Sequence, residues 1–215
     1  MFSGGRDSTL AAIRLAEAGT PITLVTITSS HLAGISRVLT RLRELADYLP
    51  TSTRWMQVVQ PTELRTDTSF YAQTCLSCHH AYVVACAAIA RQLAAREVVF
   101  GYVGYQSHWP EQTRLAIDAL RETLTRHGFS LSLPVYDIAD RETAISELTR
   151  RGLSADSLEQ KCLRQVTNIE LAPALLVEQV SKWQMAIDHS MSALAEIKVH
   201  VETEIALGAL AKELS

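Results

Sequence analysis

The apolar residues of this chain recur with two different periods, and the alternation of these periods predicts a mixed α/β fold. Helical spacing predicts helices over residues 7–18, 35–48, 77–95, 111–127 and 141–151. Short apolar runs rich in β-branched and aromatic residues predict strands over 21–28, 55–59, 97–103 and 131–135. Because strands joined by crossover helices pair in parallel, we expect a Rossmann-like α/β sandwich whose mostly parallel sheet is covered on both faces.

The last part of the chain has a different pattern. From Pro173 to Leu214 no strand pattern, further proline or turn cluster interrupts a helical spacing of apolar residues. This stripe consists of Leu176, Val180, Trp183, Ile187, Met191, Leu194, Ile197, Val201 and Ile205. It predicts one or two helices that either fold back on the sandwich or form a homodimer, because periodicity does not identify the partner. We therefore divide the chain into an α/β domain over residues 1–171 and a C-terminal helical extension over residues 172–215.

Composition narrows the classes of function. The 215 residues are 47% apolar and carry a formal net charge of -3, so the chain can bury a sizeable core but offers no broad attraction for nucleic acid. No run reaches the roughly 18 apolar residues that cross a bilayer, and no basic segment followed by an apolar run begins the chain. These features predict a cytoplasmic protein with a small-molecule substrate; tRNA is a less favoured partner.

The residues most informative about function stand at the start of the chain. Ser3-Gly4-Gly5-Arg6-Asp7-Ser8-Thr9 leads directly into the first predicted helix. Adjacent glycines allow a tight turn with exposed N–H groups, and the hydroxyls and the helix dipole add attraction for an anion. We therefore expect this loop to bind a phosphate or pyrophosphate group, with Asp7 holding a Mg²⁺ ion that bridges phosphate oxygens. The alternative is an ordinary loop in which Asp7 or Ser8 caps the helix.

The segment from Ser3 to Ser8 resembles the SGGxDS signature of the PP-loop, or N-type, ATP pyrophosphatase superfamily. Members of this superfamily have a HUP-type α/β fold and adenylate a carbonyl or carboxylate with release of pyrophosphate. The resemblance implies that the pyrophosphate of ATP is surrounded by Ser3, Gly4, Gly5, Arg6, Asp7 and Ser8. It also implies catalytic roles for Ser3, Asp7 and Ser8, a position beside the adenosine for Thr26, and a position near nucleotide and acceptor for Gly101.

One feature departs from that superfamily, which places its loop after a central strand. Here only Met1 and Phe2 precede Ser3. A sheet without that strand would leave buried backbone groups unpaired, at a cost of about 1 to 3 kcal/mol each. We therefore expect further apolar residues ahead of Met1, a rearranged sheet, or another segment in the gap.

A second resemblance covers residues 101–111, Gly-Tyr-Val-Gly-Tyr-Gln-Ser-His-Trp-Pro-Glu. This segment resembles the G-x-N-x-x-D-x-x-x-Y-P-D segment of 7-cyano-7-deazaguanine synthases, a branch of the same superfamily. Trp109-Pro110-Glu111 corresponds to Tyr-Pro-Asp, whereas the asparagine and the first aspartate have no clear counterparts. The resemblance implies an adenylate-forming ligase that acts on a modified purine, in which a nitrogen nucleophile displaces AMP.

The cysteines carry further candidate chemistry. Cys75-Leu76-Ser77-Cys78-His79-His80 places two thiols and two imidazoles within six residues. Cys75, Cys78 and Cys162, with His79 as the fourth ligand, would form a tetrahedral zinc site. His80 and Cys86 are alternatives for the fourth position, although the apolar run around Cys86 favours a place in the core.

Other interpretations of these residues remain open. By resemblance to tRNA sulfurtransferases, Cys75 or Cys78 would alternate with Cys162 between persulfide and disulfide forms; a less favoured alternative is that the thiols are unrelated core residues. His108, beside Trp109, is either a loop residue or a general base. A further alternative for the whole chain is a catalytically inactive nucleotide-binding scaffold subunit.

Overall fold

The computed structural model describes residues 1–61, 64, 74–164 and 169–212, with only the backbone described for residues 210–212. Within these residues the chain is a mixed α/β protein. Its helices are α1 (Arg6–Glu17), α2 (Ile35–Leu45), α3 (Leu76–Gln92), α4 (Arg114–Arg126), α5 (Arg141–Thr149), α6 (Pro173–Ser192) and α7 (Leu207–Lys212). Its strands are β1 (Thr23–Thr28), β2 (Leu32–Ala33), β3 (Arg54–Val59), β4 (Glu97–Val99), β5 (Ser130–Ser132), β6 (Lys161–Cys162) and β7 (His200–Ala206). Two short 3-10 helices cover Gly104–Gln106 and Pro110–Gln112.

The strands form small sheets in which parallel and antiparallel pairs both occur. In the largest sheet, β1 pairs in parallel with β3, and β7 pairs antiparallel with the other edge of β3. Strands β4 and β5 form a separate parallel pair, and β2 pairs antiparallel with β6. The predicted parallel sheet is therefore present in two parts, β1–β3 and β4–β5.

The start of the chain lies between these two parts. The Phe2 N–H donates to the Val25 carbonyl of β1 at 2.7 Å, and the Met1 amino group donates to the Val99 carbonyl of β4 at 2.5 Å. Beside these residues, a cavity of about 360 Å³ separates the edges of β1 and β4. The gap expected from the sequence is thus spanned at one end by Met1 and Phe2, and the rest of it is a cavity.

Two apolar clusters cover opposite faces of the β1–β3 pair, as the alternation of side chains along a strand requires. Val25 and Met56 belong to the cluster formed mainly by α3, α4 and α6. Leu24 and Trp55 belong to the other cluster, formed mainly by α1, α2 and α5. The prediction of a sheet covered on both faces is confirmed for this pair. Among the described helices, none has the length and apolar character needed to cross a bilayer.

The C-terminal part differs from the predicted helical extension. Helix α6 is present, and its buried residues Val180, Trp183, Ile187 and Met191 pack in the same cluster as α3 and α4. The prediction of an unbroken helical pattern is wrong beyond that point, because residues 200–206 form strand β7 on the edge of β3. From Val201 to Ile205, β-branched residues alternate with two glutamates, and this period of two is that of a strand. Residues 213–215 of the predicted extension lie outside the described residues.

Two predicted strands are also shorter than expected. Strand β4 ends at Val99 rather than at residue 103, and β5 ends at Ser132. After β4 the chain turns toward α1 and enters the Gly104–Gln106 turn, so Tyr102 and Val103 are buried outside the sheet.

Candidate functional site

The N-terminal loop, residues 3–8, is held in shape by its own hydroxyl groups. The Ser3 and Ser8 hydroxyl oxygens lie 3.0 Å apart, and the Gly5 N–H donates to the Ser3 Oγ at 3.2 Å. The Ser3 N–H donates to the Ser8 Oγ at 3.3 Å. Gly4 has a φ of 82°, a left-handed conformation that favours glycine. The two serines and the Gly4 turn therefore fix the path of the loop into α1.

Helix α1 begins at the end of this loop without a capping side chain. Gly5 is its N-cap residue and provides no side-chain hydrogen bond. The first intrahelical bond runs from the Thr9 N–H to the Gly5 carbonyl at 3.1 Å, so helix geometry gives the N–H groups of Arg6, Asp7 and Ser8 no acceptor within the helix. These residues line a cleft with a volume of about 410 Å³. The positive end of the helix dipole therefore meets the cleft at this loop.

Two glycines permit close approaches to the loop. A Cβ atom on Gly101 would lie 2.6 Å from the Ser8 nitrogen, and one on Gly4 would lie 2.9 Å from the Leu158 carbonyl oxygen. Both distances are too short for any side chain. The segment after β4 and the segment that contains Leu158 consequently pack directly on the loop backbone, one on each side.

Asp7 is held by a tyrosine from the Gly104–Gln106 turn. The Tyr105 hydroxyl donates to Asp7 Oδ1 at 2.6 Å. Burial raises the pKa of Asp7, an effect that the Tyr105 hydrogen bond and the Arg6 charge partly offset. Burial and the neighbouring Asp7 carboxylate raise the pKa of Tyr105. The carboxylate is thus oriented, and it would be stabilised in its charged form by a nearby cation.

Thr26 lies deep in the cleft, but its hydroxyl is already engaged. It donates to the Phe2 carbonyl at 2.7 Å and accepts from the Trp55 Nε1 at 2.9 Å. Thr26 therefore joins β1, β3 and the start of the chain, and what it presents to the cleft is van der Waals surface.

A segment that we call the strap, residues 154–160, crosses the loop and is held by three arginines. Arg41, which is fully buried on α2, donates to the Ser154 carbonyl at 3.0 Å and to the Asp156 carbonyl at 2.6 Å. Arg37 donates to the Glu159 carbonyl at 3.0 Å and also to the Ser157 carbonyl, and Arg6 donates to the Ala155 carbonyl at 3.2 Å. Arg41 also reaches the Gly4 carbonyl of the loop at 3.4 Å. The strap and the loop therefore share one buried cation.

Residues of the 104–112 region line another part of the cleft wall. Gln112 accepts from the Val103 N–H at 3.0 Å and donates to Gln106 Oε1 at 2.8 Å, so the two side chains are fixed relative to each other. Trp109 also lines the cleft, and His108 packs edge-on against it with ring centroids 6.0 Å apart. This part of the cleft wall thus combines an indole ring with oriented amide groups.

Three cysteines predicted to act together do line this same cleft. Cys75 is the N-cap residue of α3, Cys78 lies in its first turn, and Cys162 lies in β6. Burial raises the pKa of Cys75 to about 12 and also raises that of Cys78; the negative charges of Glu111 and of the neighbouring cysteines add to the first shift, and that of Cys162 adds to the second. His31, which sequence reasoning missed, brings its Nε2 within 3.7 Å of the Cys78 Sγ. Cys86 is buried in the core, as predicted.

His79 is engaged elsewhere. Its Nδ1 lies 2.7 Å from the Tyr102 hydroxyl, and its Nε2 lies 3.8 Å from the buried Glu111 carboxylate. Burial lowers the pKa of His79. Among the residues that the structure describes, no group of three or more His, Cys, Asp and Glu side chains has an arrangement suited to a metal ion. The zinc set of Cys75, Cys78, Cys162 and His79 therefore does not fit this arrangement.

No family model matches this chain. A search among curated proteins likewise finds no significant match.

Several residues of the site were not found from the sequence, although one of them carries a visible signal. Arg41 occupies the apolar face of α2 together with Val38, Leu42 and Leu45, and a charge at such a position indicates a buried ion with specific partners. Tyr105 and Glu159 have no comparable signal, because their partners are distant in sequence.

Proposed function

We propose that this chain is an ATP pyrophosphatase of the PP-loop type with a Rossmann-like (HUP-type) fold, which adenylates an acceptor and releases pyrophosphate. The observation that carries the proposal is the N-terminal loop at the uncapped start of α1, on the wall of the cleft. N–H groups without an acceptor in their own helix, as those of Arg6, Asp7 and Ser8 are, and the helix dipole are the features that bind phosphate oxygens elsewhere. The identity of the loop residues with the SGGxDS pattern adds to this support.

In the proposed reaction, an oxygen of the acceptor attacks the α-phosphorus of ATP, and the bond to the bridging oxygen of pyrophosphate breaks. The loop would hold the pyrophosphate, with its N–H groups and the Ser3 and Ser8 hydroxyls donating to the departing oxygens. Asp7, oriented by Tyr105, is the residue that would hold a Mg²⁺ ion, whose contribution is to neutralise charge on the phosphate oxygens. Most of the rate enhancement would come from positioning and charge neutralisation.

For the acceptor, the cleft favours a flat, polar heterocycle such as a modified purine. Trp109 and Tyr82 offer aromatic surfaces, and the paired amides of Gln106 and Gln112 offer hydrogen-bonding groups in fixed orientation. A carboxylate on such a ring would be adenylated, and a nitrogen nucleophile would then displace AMP.

A pyrophosphate-release assay tests this function. Purified protein, Mg-ATP, ammonium and a panel of carboxylated deazapurines should give equal amounts of pyrophosphate and AMP with one member of the panel. Ser8→Ala, which removes a hydroxyl of the loop, should lower the rate by at least about tenfold. Exposed Ser192, which bonds only to its own helix, gives a control in Ser192→Ala, which should retain the rate. ATP binding without turnover for any acceptor would instead support a scaffold subunit.

A second candidate function, sulfur transfer after adenylation of a tRNA base, is favoured by one observation. Cys75, Cys78 and Cys162 all line the cleft that contains the N-terminal loop. The terminal sulfur of a persulfide on one of these cysteines would displace AMP from the adenylated acceptor, and a second of the cysteines would then release that sulfur by forming a Cys–Cys disulfide. Mass spectrometry after treatment with a sulfur donor distinguishes the two functions, because a persulfide on one of these cysteines, lost to the acceptor on addition of ATP and tRNA, is expected only for sulfur transfer.

A further inference from the structure

Two buried polar atoms at the N-terminal loop have opposite character and no hydrogen-bond partner. They are the Nε donor of Arg6 and the Oε2 acceptor of Glu159, each with almost no exposed surface. A buried polar atom without a partner is costly, so native structures seldom contain one without a reason. The two atoms do not satisfy each other. The Arg6 Nε lacks an acceptor, and Glu159 Oε2 lacks a hydrogen-bond donor or a cation.

The Glu159 carboxylate lies against the N-cap residue of α1. A Cβ atom added to Gly5 would be 3.0 Å from Glu159 Oε2, so the absence of a side chain at Gly5 makes room for this oxygen. The charge of Glu159 also acts on Asp7 and is one of the causes that raise the pKa of the Asp7 carboxyl group, after burial. Glu159 and Asp7 both line the cleft. Two carboxylates therefore flank the part of the loop where phosphate oxygens would bind.

The backbone of the strap keeps Glu159 in this position. The Glu159 carbonyl accepts from Arg37, the Leu158 carbonyl packs against Gly4, and the next residue, Gln160, donates to the Ile27 carbonyl at 2.9 Å. Residues on both sides of Glu159 are thus anchored to α2, the loop and β1. The backbone that carries the Glu159 carboxylate is therefore fixed beside the N-terminal loop.

The two carboxylates beside the loop affect which form of phosphate can bind there. A bare phosphate chain at the loop would meet the N–H groups and Arg6, but it would also be repelled by two carboxylates. Asp7 and Glu159 would hold a divalent cation whose charge would turn that repulsion into attraction, and Arg6 would supply further positive charge beside the phosphate chain. Hard cations prefer carboxylate ligands of this kind.

We propose that Glu159, together with Asp7, makes the loop selective for a metal-bound phosphate chain over a free one. This inference rests on the proposed function, because it assigns the loop to phosphate. Glu159 contributes the second carboxylate of the cation site and excludes phosphate that carries no cation.

Calorimetric titration with inorganic pyrophosphate tests the proposal, once with Mg²⁺ and once with a chelator. Wild-type protein should bind pyrophosphate at least about tenfold more tightly with Mg²⁺. In Glu159→Gln this ratio should fall by at least about fivefold, because binding weakens with Mg²⁺ and strengthens without it. Glu159→Asp, which keeps the charge, should have a ratio between the two. Exposed Glu196 provides the control, since Glu196→Gln removes one charge outside the cleft and should behave as wild type.

The possible results separate the two ideas. If wild type binds Mg-pyrophosphate and Glu159→Gln has the same metal dependence, the role of Glu159 is wrong and the proposed function stands. If wild type binds no pyrophosphate under either condition, the proposed function fails and this inference fails with it. A loss of binding in Glu159→Gln under both conditions, with an unchanged circular dichroism spectrum, would also overturn the proposal, because it predicts a gain without metal.

Discussion

Gly101 lies so close to the first turn of α1 that no side chain fits between them. A Cβ atom there would be 2.6 Å from the Ser8 nitrogen and 2.8 Å from the Asp7 carbonyl carbon, both of which are backbone atoms. Gly101→Ala should therefore displace the loop, lower the free energy of unfolding by about 3 kcal/mol and abolish pyrophosphate binding. Urea denaturation and calorimetry measure the two effects.

Gly19 provides the comparison for that substitution. It has a φ of 73° but open space around it, so Gly19→Ala should cost only about 1 kcal/mol of backbone strain. Its pyrophosphate binding should equal that of wild type. Equal binding by the Gly101 variant would contradict the close contact between Gly101 and the loop.

His80 should make the stability of the protein depend on pH in the acidic range. Its side chain is buried, its Nε2 lies 2.9 Å from the Ser190 hydroxyl, and burial lowers its pKa from 6.5 to about 4. The folded protein thus keeps His80 neutral, and unfolding takes up a proton below the unfolded pKa. The stability present above pH 6.5 should be lost progressively as the pH falls toward about 4, by about 2 to 3 kcal/mol in total.

His80→Gln isolates this contribution, because an amide can bond to Ser190 but does not titrate. The difference between the urea midpoints of wild type and His80→Gln should shrink as the pH falls, because other titrating groups destabilise both proteins equally. An unchanged difference between wild type and variant from neutral to acidic pH would show that His80 is not buried in its neutral form.

At the scale of elements, the strap depends on one buried cation. Arg41 bonds to carbonyl groups of Gly4, Ser154 and Asp156 and to the Glu44 carboxylate at 2.5 Å. Arg41→Met keeps similar volume but leaves these acceptors unpaired, so it should cost about 3 kcal/mol of stability. It should also release the strap, which trypsin would report as faster cleavage after Lys161.

Arg43 lies on the same helix but is exposed, and Arg43→Met is the matched control. Its cleavage rate after Lys161 and its stability should be those of wild type, within about 0.5 kcal/mol. Identical cleavage in the Arg41 and Arg43 variants would mean that the strap is held by its other contacts alone.

In strand β7, neighbouring side chains face opposite sides, so substitutions of adjacent residues should differ in their cost to stability. Ile205 faces the second apolar cluster opposite Trp55, whereas the adjacent Glu204 points to solvent and pairs with Arg54 at 2.9 Å. Ile205→Ala should cost about 1 to 2 kcal/mol, and Glu204→Ala no more than about 0.5 kcal/mol, because exposed ion pairs contribute little. Chemical denaturation of both variants measures the difference. Equal costs would argue against the alternation of a strand.

The same strand explains why this part of the fold was not predicted. The helical spacing of apolar residues from Leu176 to Ile197 continues by chance through Val201 and Ile205, which also satisfy a period of two. Whether this segment is a helix or a strand is decided by its pairing with the edge of β3. That pairing joins residues some 145 positions apart and leaves no local trace in the sequence. The helices up to α5 and strands β1 and β3 were predictable because their periods are unambiguous, whereas β2 was not predicted and β4 and β5 end earlier than predicted.

At the scale of the whole molecule, the candidate site is predictable where residues are close in sequence. The loop from Ser3 to Ser8 and its run into α1 follow from glycine and hydroxyl chemistry and are present. The cysteines were predicted to meet and do line one cleft, but the imidazole that approaches Cys78 is that of His31, whereas the His79 ring contacts Tyr102 and Glu111. That choice depends on how β2 and β6 pair, which brings residues of distant segments together and which no single segment encodes.

The two parts of the parallel sheet are separated by a cavity that an additional strand should fill. The cavity of about 360 Å³ is lined by the edges of β1 and β4 and by apolar residues of α1 and α3, among them Ala11, Leu15, Ile89 and Leu93. Met1 already bonds to Val99 through its nitrogen, and a peptide N–H at that position would donate in the same way. An extended apolar segment joined to Met1 would therefore enter the cavity and pair with both strand edges.

Four residues with the sequence Val-Ile-Val-Val, fused ahead of Met1, should raise the thermal midpoint by about 5 °C, since pairing and burial would contribute about 1 to 2 kcal/mol. A Gly-Ser-Gly-Ser fusion of equal length cannot fill the cavity and should leave the midpoint near that of wild type. Amide hydrogen exchange adds a local reading, because the N–H groups of Val25 and Val99, whose carbonyls face the start of the chain, should become more protected only in the apolar fusion. Equal midpoints and equal protection in the two fusions would mean that the opening does not accept a strand, and that helices α1 and α3 alone hold the two parts of the sheet together.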